Sequence, residues 1–320
     1  MNISEKETTS SLLKLWVQIL VIIICVVGSF SLIAQMNIGG WIGLFSSIAW
    51  GAWCLKKIKW QTVGSNWRQH TLFLSIFVFC LLSFIAGPHS FIDSFSYRIP
   101  QLLFWLQEGH PWSVPNVDMR INQMPHVWPF LSSVFYLPFG AWGLAIPNMI
   151  SLFILYLIIH QFILKLGVSW EKGQWIALIF MASPVMVMQA PSNDNVLSCV
   201  TLLMVSFFFC MFEKNKTSAV IYSSLSFALA CGIKPQYVTL APLWLGWFFT
   251  GWQAPFRSFK WRALIWLFPL ILVCSPLPTF TVNQLLNGSF SHPVVLDEDN
   301  LKEKRSHESE TELNASSLSS

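Results

Sequence analysis

The sequence has few charged residues. Asp, Glu, Lys and Arg make up only 11% of its 320 residues, whereas hydrophobic residues make up 54%. Soluble domains carry about 25% charged residues, so the composition excludes an ordinary pair of soluble domains. The 17 Trp and 27 Phe also exclude intrinsic disorder and collagen. What remains is the composition of an integral membrane protein.

The sequence also lacks the short motifs of common enzyme and cofactor sites. No GxGxxG, P-loop, GxSxG or HExxH pattern occurs. The seven cysteines are irregularly spaced without a CxxC pair, so neither a disulfide framework nor a thiolate metal site is indicated. The net charge of +4 does not point to nucleic acid. The first apolar run has no convincing cleavage site after it, which predicts a retained anchor.

Nine apolar stretches approach the length that a helix needs to cross about 30 Å of hydrocarbon. They cover residues 12–34, 38–55, 70–87, 145–164, 174–190, 196–212, 218–233, 236–252 and 263–284. The sequence therefore predicts an all-α fold, a polytopic transmembrane helical bundle of about nine spans.

The spans divide the chain into five predicted regions. A cytoplasmic N-terminus (1–11) precedes three spans (12–87), an extracytoplasmic loop with amphipathic and interfacial helices (88–144), six further spans (145–284) and a polar tail (285–320). The tail is rich in Ser and poor in aromatic residues, which predicts disorder.

The run from Val127 to Gly140 is apolar but only about 14 residues long, so its length fits either a short span or a helix lying in the interface. If it lies in the interface and the N-terminus is cytoplasmic, 13 of the 19 Lys and Arg fall on the cytoplasmic side. That distribution obeys the positive-inside rule, and counting the run as a span would reverse much of it. The sequence therefore predicts an interfacial helix.

This topology leaves a sparse group of charged residues on the outer face. Outside the tail, they are Asp93, Arg98, Glu108, Asp118, Arg120, Asp194 and Lys234. Solvated loops normally carry more charge, whereas ionisable residues beside hydrocarbon often mark a functional site. The group therefore predicts a site on this face.

Asp93 begins a segment with helical spacing of its apolar residues, directly after the third predicted span. Such a segment is typical of an amphipathic helix on the membrane surface. Asp93 and Tyr97 are four residues apart and therefore share a side of that helix, as do Ser94 and Arg98. Asp93 is a candidate catalytic residue, and a helix cap is the alternative interpretation.

Asp194 lies in the short connection PSNDN between the fifth and sixth spans. A carboxylate so near hydrocarbon needs a cation, a metal or a proton, although a simple turn and cap would also use Asn193 and Asp194. Lys234 lies at the outer end of the seventh span, where it can bind a phosphate or extend to lipid headgroups. Arg98 and Arg120 are further phosphate-binding candidates.

Four segments together resemble the GT-C superfamily of integral-membrane glycosyltransferases, near the family 39-like proteins, which are related to protein O-mannosyltransferases and lipid A aminoarabinose transferases. The segments are DSFSYRIPQLLFWLQEGHPW, VDMRINQMPHVWPF, SNDNVLSCVTLLMVSFFF and ACGIKPQYVTLAPLWL, within residues 93 to 250. The hairpin of residues 12–55 precedes this region, and the nine predicted spans are fewer than the superfamily usually has.

The resemblance implies transfer of a sugar from a polyprenyl-phosphate carrier to a glycan, lipid or protein at the outer face. It implies that Asp93 is the catalytic base and that Asp194 is a second acid, or a ligand of a divalent cation. Tyr97, Arg98, Arg120 and Lys234 would bind the substrate and its phosphate.

The expected location is a bacterial inner membrane, with the site on the periplasmic side. The expected partners are the polyprenyl-phosphate-linked sugar and membrane lipid, and a partner subunit stays open. A polysaccharide or lipid transporter, a polymerase, and a truncated non-catalytic member of the family stay open as alternatives. Transport sites usually lie near the bilayer midplane, where these spans carry almost no charge.

Overall fold

The computed structural model describes residues 3–57, 74, 77–78, 82, 98–111, 124–213, 215–250 and 261–287. These residues form helices and their connections, without a β-strand, which confirms the all-α prediction. The chain divides into two units, Met1–Thr279 and Phe280–Ser320. The predicted span 70–87, apart from single positions, and residues 288–320 of the predicted tail lie outside the described part.

Twelve α-helices and two short 3-10 helices make up the described chain. The α-helices are α1 Ile3–Ser31, α2 Met36–Leu55, α3 Ile99–Glu108, α4 Val127–Phe139, α5 Ile146–Lys165, α6 Trp170–Met181, α7 Pro184–Gln189, α8 Val196–Phe212, α9 Lys216–Ile233, α10 Ala241–Thr250, α11 Trp261–Cys274 and α12 Leu277–Asn287. The 3-10 helices are Gly140–Ala145 and Pro235–Leu240.

Four helical stretches are long and apolar enough to cross a membrane. They are Thr9–Ser31, Met36–Leu55, Lys216–Ile233 and the continuous helical stretch Val127–Lys165, which comprises α4, a 3-10 helix and the 20-residue α5. The 17-residue helix α8 is apolar but shorter. These helices indicate a membrane protein, and the finer count of nine spans stays a prediction.

Two predicted single spans are each two helices in the structure, which corrects the sequence analysis. The stretch 174–190 is interrupted between α6 and α7 at Pro184, and the stretch 263–284 is interrupted between α11 and α12 at Pro276. Proline has no backbone N–H and disfavours helical geometry in the residue before it. A hydropathy pattern alone therefore does not predict that proline interrupts these two helices.

Helix α8 is the central helix of the main unit. Twelve of its 17 residues are buried, and it packs between α5 and α9. A helix that is apolar on all sides belongs inside a bundle. The loop before α8, which holds Asp194, is therefore anchored at the end of the most buried helix.

Helices α1 and α2 pack closely because α2 presents its smallest residues to its neighbours. Its buried positions after Met36 are Gly39, Gly40, Gly43, Ser47 and Gly51. A Cβ on Gly39 would lie 2.7 Å from the Cβ of Phe30 in α1. Large apolar side chains of α2 point outward instead, as expected of a helix in contact with lipid.

A stripe of polar residues on α1 binds Glu213, which directly follows α8, and Tyr222 of α9, at the opposite end of α8 from the Asp194 loop. Lys14 Nζ lies 2.6 Å from a carboxylate oxygen of Glu213, and Ser10 Oγ donates to the same oxygen at 2.7 Å. Gln18, one turn further along α1, donates to the hydroxyl of Tyr222. Burial raises the pKa of Glu213, but the hydrogen bonds from Lys14 and Ser10 outweigh it and bring the pKa below its ordinary value.

Helix α4 and the 3-10 helix that follows it form a tight helical hairpin. A Cβ on Gly143 would collide with the backbone oxygen of Phe135, and Leu144 lines the same small cavity as Trp128 and Ser132. The 3-10 helix therefore packs back against α4. At 1.5 Å per residue α4 is about 20 Å long, less than the hydrocarbon thickness. Its predicted interfacial location stays a prediction.

Candidate functional site

Asp194 forms a buried ion pair with Arg98. Their side chains are 12% and 9% exposed, and Nη1 of Arg98 donates to Oδ1 of Asp194. The backbone N–H of Asn195 donates to the same Oδ1 at 2.7 Å. An isolated carboxylate would lose its hydration here, so the arginine and the amide compensate the buried charge. The two residues come from segments that are 96 positions apart.

The fully buried Asn148, near the start of α5, holds the backbone of the loop that precedes α8. Its Nδ2 donates to the carbonyl oxygen of Ser192 at 2.9 Å and to that of Asp194. Its Oδ1 accepts from Ser198 Oγ at 2.7 Å. Bonds to both ends of one amide fix its orientation, and they fix the loop against α5 and α8.

A cleft of about 90 Å³ lies beside this ion pair. Its polar walls are Arg98 and Gln101 of the α3 segment, Asn195, Lys234 and Gln236. Trp128 and several prolines form the apolar part of the wall. Polar groups that converge from separate elements on one concave surface are typical of a ligand site. We call this cavity the polar cleft.

Local sequence explains why these side chains meet. Arg98 and Gln101 are three residues apart and therefore share a side of the helical segment. Lys234 is followed by Pro235, which favours an extended residue before it, and Lys234 has φ −133° and ψ 103°. Helix α9 therefore ends at Ile233, with Lys234 outside it beside the polar cleft.

The polar cleft is electropositive in its described part. Arg98 and Lys234 line it, whereas none of its described lining residues is Asp or Glu. Asp194 binds Arg98 and is not among the described residues that line the cleft. Asn195 is only 6% exposed, and its Nδ2 lies 3.4 Å from the carbonyl oxygen of Ile233. Its Oδ1 is buried and has no hydrogen-bond partner among the residues that the structure describes. Such a cleft can bind an anion that also carries a hydroxyl donor.

The contacts of Asp194 do not fit a metal site. The Arg98 guanidinium takes the place beside Oδ1 where a cation would bind. Within the described residues, moreover, no group of three or more His, Cys, Asp or Glu is placed to hold a metal ion. The contacts of the Asp194 carboxylate therefore do not support its predicted role as a metal ligand.

Three predicted site residues, Asp93, Tyr97 and Arg120, lie outside the described part of the chain. The structure pairs Arg98 with Asp194 and places Arg98 and Lys234 on one cavity, and the outer-face location of these residues stays a prediction.

Sequence reasoning missed Asn148, Asn195 and Trp128. The sequence does contain a signal for Asn148, because a polar amide near the end of an apolar helix seldom lies there without a hydrogen-bond partner.

His126, just before α4, joins the wall of the polar cleft to the C-terminal part of the main unit. Because a carbonyl only accepts, Nε2 carries the proton and donates to Val273 O at 3.0 Å. Thr279 Oγ1 then donates to Nδ1 at 2.9 Å and accepts from the backbone N–H of His126 at 3.2 Å. Complete burial lowers the pKa of His126 to about 4, so the ring is neutral at neutral pH.

Comparisons with family models, curated proteins and solved structures find no match to this chain.

Proposed function

We propose that this protein is a membrane glycosyltransferase that moves a sugar from a polyprenyl-phosphate carrier to an acceptor at the outer face of the membrane. The observation that carries the proposal is the polar cleft, where Arg98 and Lys234 converge beside an apolar wall. Two cations at the end of apolar helices suit a phosphate attached to a hydrocarbon chain. The sequence resemblance supports the same substrate class.

In the proposed reaction, an acceptor hydroxyl attacks the anomeric carbon of the donor sugar. The new glycosidic C–O bond forms as the bond from that carbon to the carrier phosphate breaks, and the departing phosphate keeps the electron pair. Asp93 takes the proton of the attacking hydroxyl, as general base. Arg98 and Lys234 stabilise the negative charge that develops on the phosphate.

Asp194 has a different part in this proposal from the catalytic role that the resemblance implies. Its carboxylate is occupied by Arg98 and by the amide of Asn195. We therefore assign it the positioning of the Arg98 guanidinium, which a planar carboxylate orients well. Tyr97 and Arg120 stay proposed contacts of the sugar or the phosphate.

The proposal places the polar cleft on the outer side of a bacterial inner membrane. Its support is the predicted excess of Lys and Arg on the other side. A carrier lipid holds its phosphate at headgroup depth, so a site at the ends of the helices is where the reacting bond would be found. The acceptor stays open among glycans, lipids and proteins.

The experiment is a transfer assay with the purified full chain in nanodiscs and radiolabelled polyprenyl-phosphate sugars. Asp93→Asn should abolish turnover and keep carrier binding, because the amide preserves the shape without the basicity. Lys234→Ala should weaken carrier binding about tenfold, the effect of losing one charge-assisted hydrogen bond.

Lys216→Ala is the matched control. Lys216 is the exposed first residue of α9, whereas Lys234 directly follows the other end of the same helix. It should leave carrier binding unchanged. Normal turnover of Asp93→Asn would refute the assigned base, and equal binding by the two lysine variants would refute the phosphate role of Lys234. No transfer from any polyprenyl-phosphate sugar would refute the proposed function.

A further inference from the structure

A second cavity of about 190 Å³ opens between α1 and α5. Trp16 and Ile23 of α1, Leu131 and Phe135 of α4, and Ile154 of α5 form much of its surface. Among the described residues that line it, the side chains are apolar except for those of Ser151 and Ser198. Dry cavities of about 150 Å³ with aliphatic walls bind molecules such as benzene, so this volume suffices for an apolar ligand. We call this cavity the apolar groove.

The lining of the apolar groove extends along α1. Along α1 its lining residues extend from Leu12 to Ile23. At 1.5 Å per residue this wall is about 17 Å long, roughly half of the hydrocarbon thickness of a bilayer. A volume of 190 Å³ spread over that length is narrow. The groove therefore fits one extended chain better than a bulky group.

The apolar groove and the polar cleft are adjacent and share one described lining residue. Ile233, at the end of α9, lines both cavities and is 3% exposed. One turn of α8 separates Asn195, which lines the cleft, from Ser198, which lines the groove. Ser198 also donates to Asn148, which holds the Asp194 loop. A hydrocarbon surface thus ends where the cationic surface begins.

We infer that the apolar groove holds the single hydrocarbon chain of a lipid phosphate whose phosphate lies in the polar cleft, with Ile233 at the junction of chain and headgroup. The adjacency of a narrow apolar cavity and a cleft with two cations matches the two parts of such a molecule. The inference rests on the proposed function for the phosphate in the cleft.

The size of the groove also predicts selectivity for the number of hydrocarbon chains in the lipid. A diacyl phospholipid has two chains, whereas the groove has room for one. We therefore expect this protein to prefer single-chain lipid phosphates. Much of the wall comes from α1, which precedes the region of sequence resemblance, so the groove belongs to this chain's own packing.

The test uses Ile150→Trp, which adds volume at the rim of the apolar groove. Ile150 lines the groove and is 37% exposed, so the larger ring has room at the surface and the fold should persist. The matched control is Ile176→Trp in α6, where Ile176 is 47% exposed and is not among the described residues that line the groove. Binding of farnesyl phosphate, inorganic phosphate and dioleoyl phosphatidic acid is measured by calorimetry on the purified chain in detergent.

Ile150→Trp should weaken farnesyl phosphate binding at least tenfold without changing inorganic phosphate binding, and Ile176→Trp should change neither. A farnesyl phosphate with a diazirine in its chain should crosslink to peptides of α1 and α5. Unchanged affinity in Ile150→Trp, or crosslinks confined to other helices, would overturn the inference. Equal affinity of the wild type for dioleoyl phosphatidic acid would overturn the single-chain selectivity.

These outcomes are separable from those of the proposed function. Groove-dependent binding of farnesyl phosphate without any sugar transfer would reject the glycosyltransferase and keep the groove. Sugar transfer with an unchanged KM for the carrier in Ile150→Trp would reject the groove and keep the glycosyltransferase.

Discussion

At the residue scale, the ion pair of Arg98 and Asp194 decides the character of the polar cleft. Two opposite charges would nearly cancel if both faced the ligand. Here Asp194 binds Arg98 from the side of the α8 loop, and Asn148 fixes that loop. The guanidinium is thereby held in one orientation beside Lys234. The same acid therefore stabilises the fold and positions a cation for the proposed phosphate.

Asp194→Asn should destabilise the protein by about 3 kcal/mol, because it leaves a buried guanidinium without its counter-charge. The measurement is the midpoint of thermal unfolding in detergent. The double variant Arg98→Met with Asp194→Leu should lose less than the two single variants together, since it removes both charges. Strictly additive losses would contradict a direct coupling between the two side chains.

At the element scale, packing depends on close approaches that only small residues allow. The stripe of glycines on α2 lets α1 and the side chains of α4 pack close to the α2 backbone. The hairpin of α4 likewise depends on Gly143 next to the backbone of Phe135. These two contacts set where Trp128 and the start of α5 lie, and hence the walls of both cavities.

Gly39→Ala should lower the free energy of unfolding by about 1–3 kcal/mol, the usual effect of overpacking. The added methyl group would lie 2.7 Å from Phe30 Cβ and 3.2 Å from Val27 Cα. Gly246→Ala in α10 is the control, because a Cβ there meets no atom within 4 Å. It should be neutral or stabilise by up to about 1 kcal/mol through helix propensity. Thermal unfolding of both variants in detergent checks this, and equal midpoints would contradict the packing argument.

The junction of His126 with Val273 and Thr279 should make stability depend on pH. The pKa of His126 is lowered from 6.5 to about 4 in the folded state, so as pH falls below 6.5 the unfolded chain binds a proton that the folded chain does not. Stability should decline between about pH 6.5 and pH 4 by up to about 3 kcal/mol. His126→Gln should flatten this part of the profile of unfolding midpoint against pH. An unchanged profile would show that other groups cause the decline.

At the scale of the whole molecule, the polar features lie at two ends of the bundle. The polar cleft is at the end formed by the α8 loop and Lys234. The Lys14 and Glu213 ion pair is at the other end, near the start of α1. The apolar helices between them suit a hydrocarbon layer.

Single cysteines at positions 236 and 216, in a background without the native cysteines, should react from opposite sides of the membrane. Both residues are exposed. Lys216 is the first residue of α9, which is about 27 Å long, and Gln236 lies three residues after its last residue. A membrane-impermeant maleimide applied to intact cells should label position 236 and not position 216. Position 216 should be labelled after the cells are permeabilised. The reverse pattern would contradict the predicted orientation and the outer location of the polar cleft.

The sequence alone determined the helical class and many helix boundaries. The predicted stretch 196–212 is α8, and the stretches 38–55 and 145–164 differ from α2 and α5 by one or two residues. Such boundaries are readable because hydropathy and helix ends are local properties, set by neighbours within a few turns. The sequence also singled out Arg98, Asp194 and Lys234, since ionisable residues are rare beside hydrocarbon.

Only the tertiary structure decided how these residues are used. Asp194 was expected to act on a ligand, but it binds Arg98, and its loop is held by an asparagine of α5 that no local pattern connects to it. The apolar groove and its junction at Ile233 are likewise products of helices that pack at particular angles. The physical reason is that an ion pair or a cavity depends on distances between side chains far apart in the chain, and those distances follow from close packing of the whole bundle.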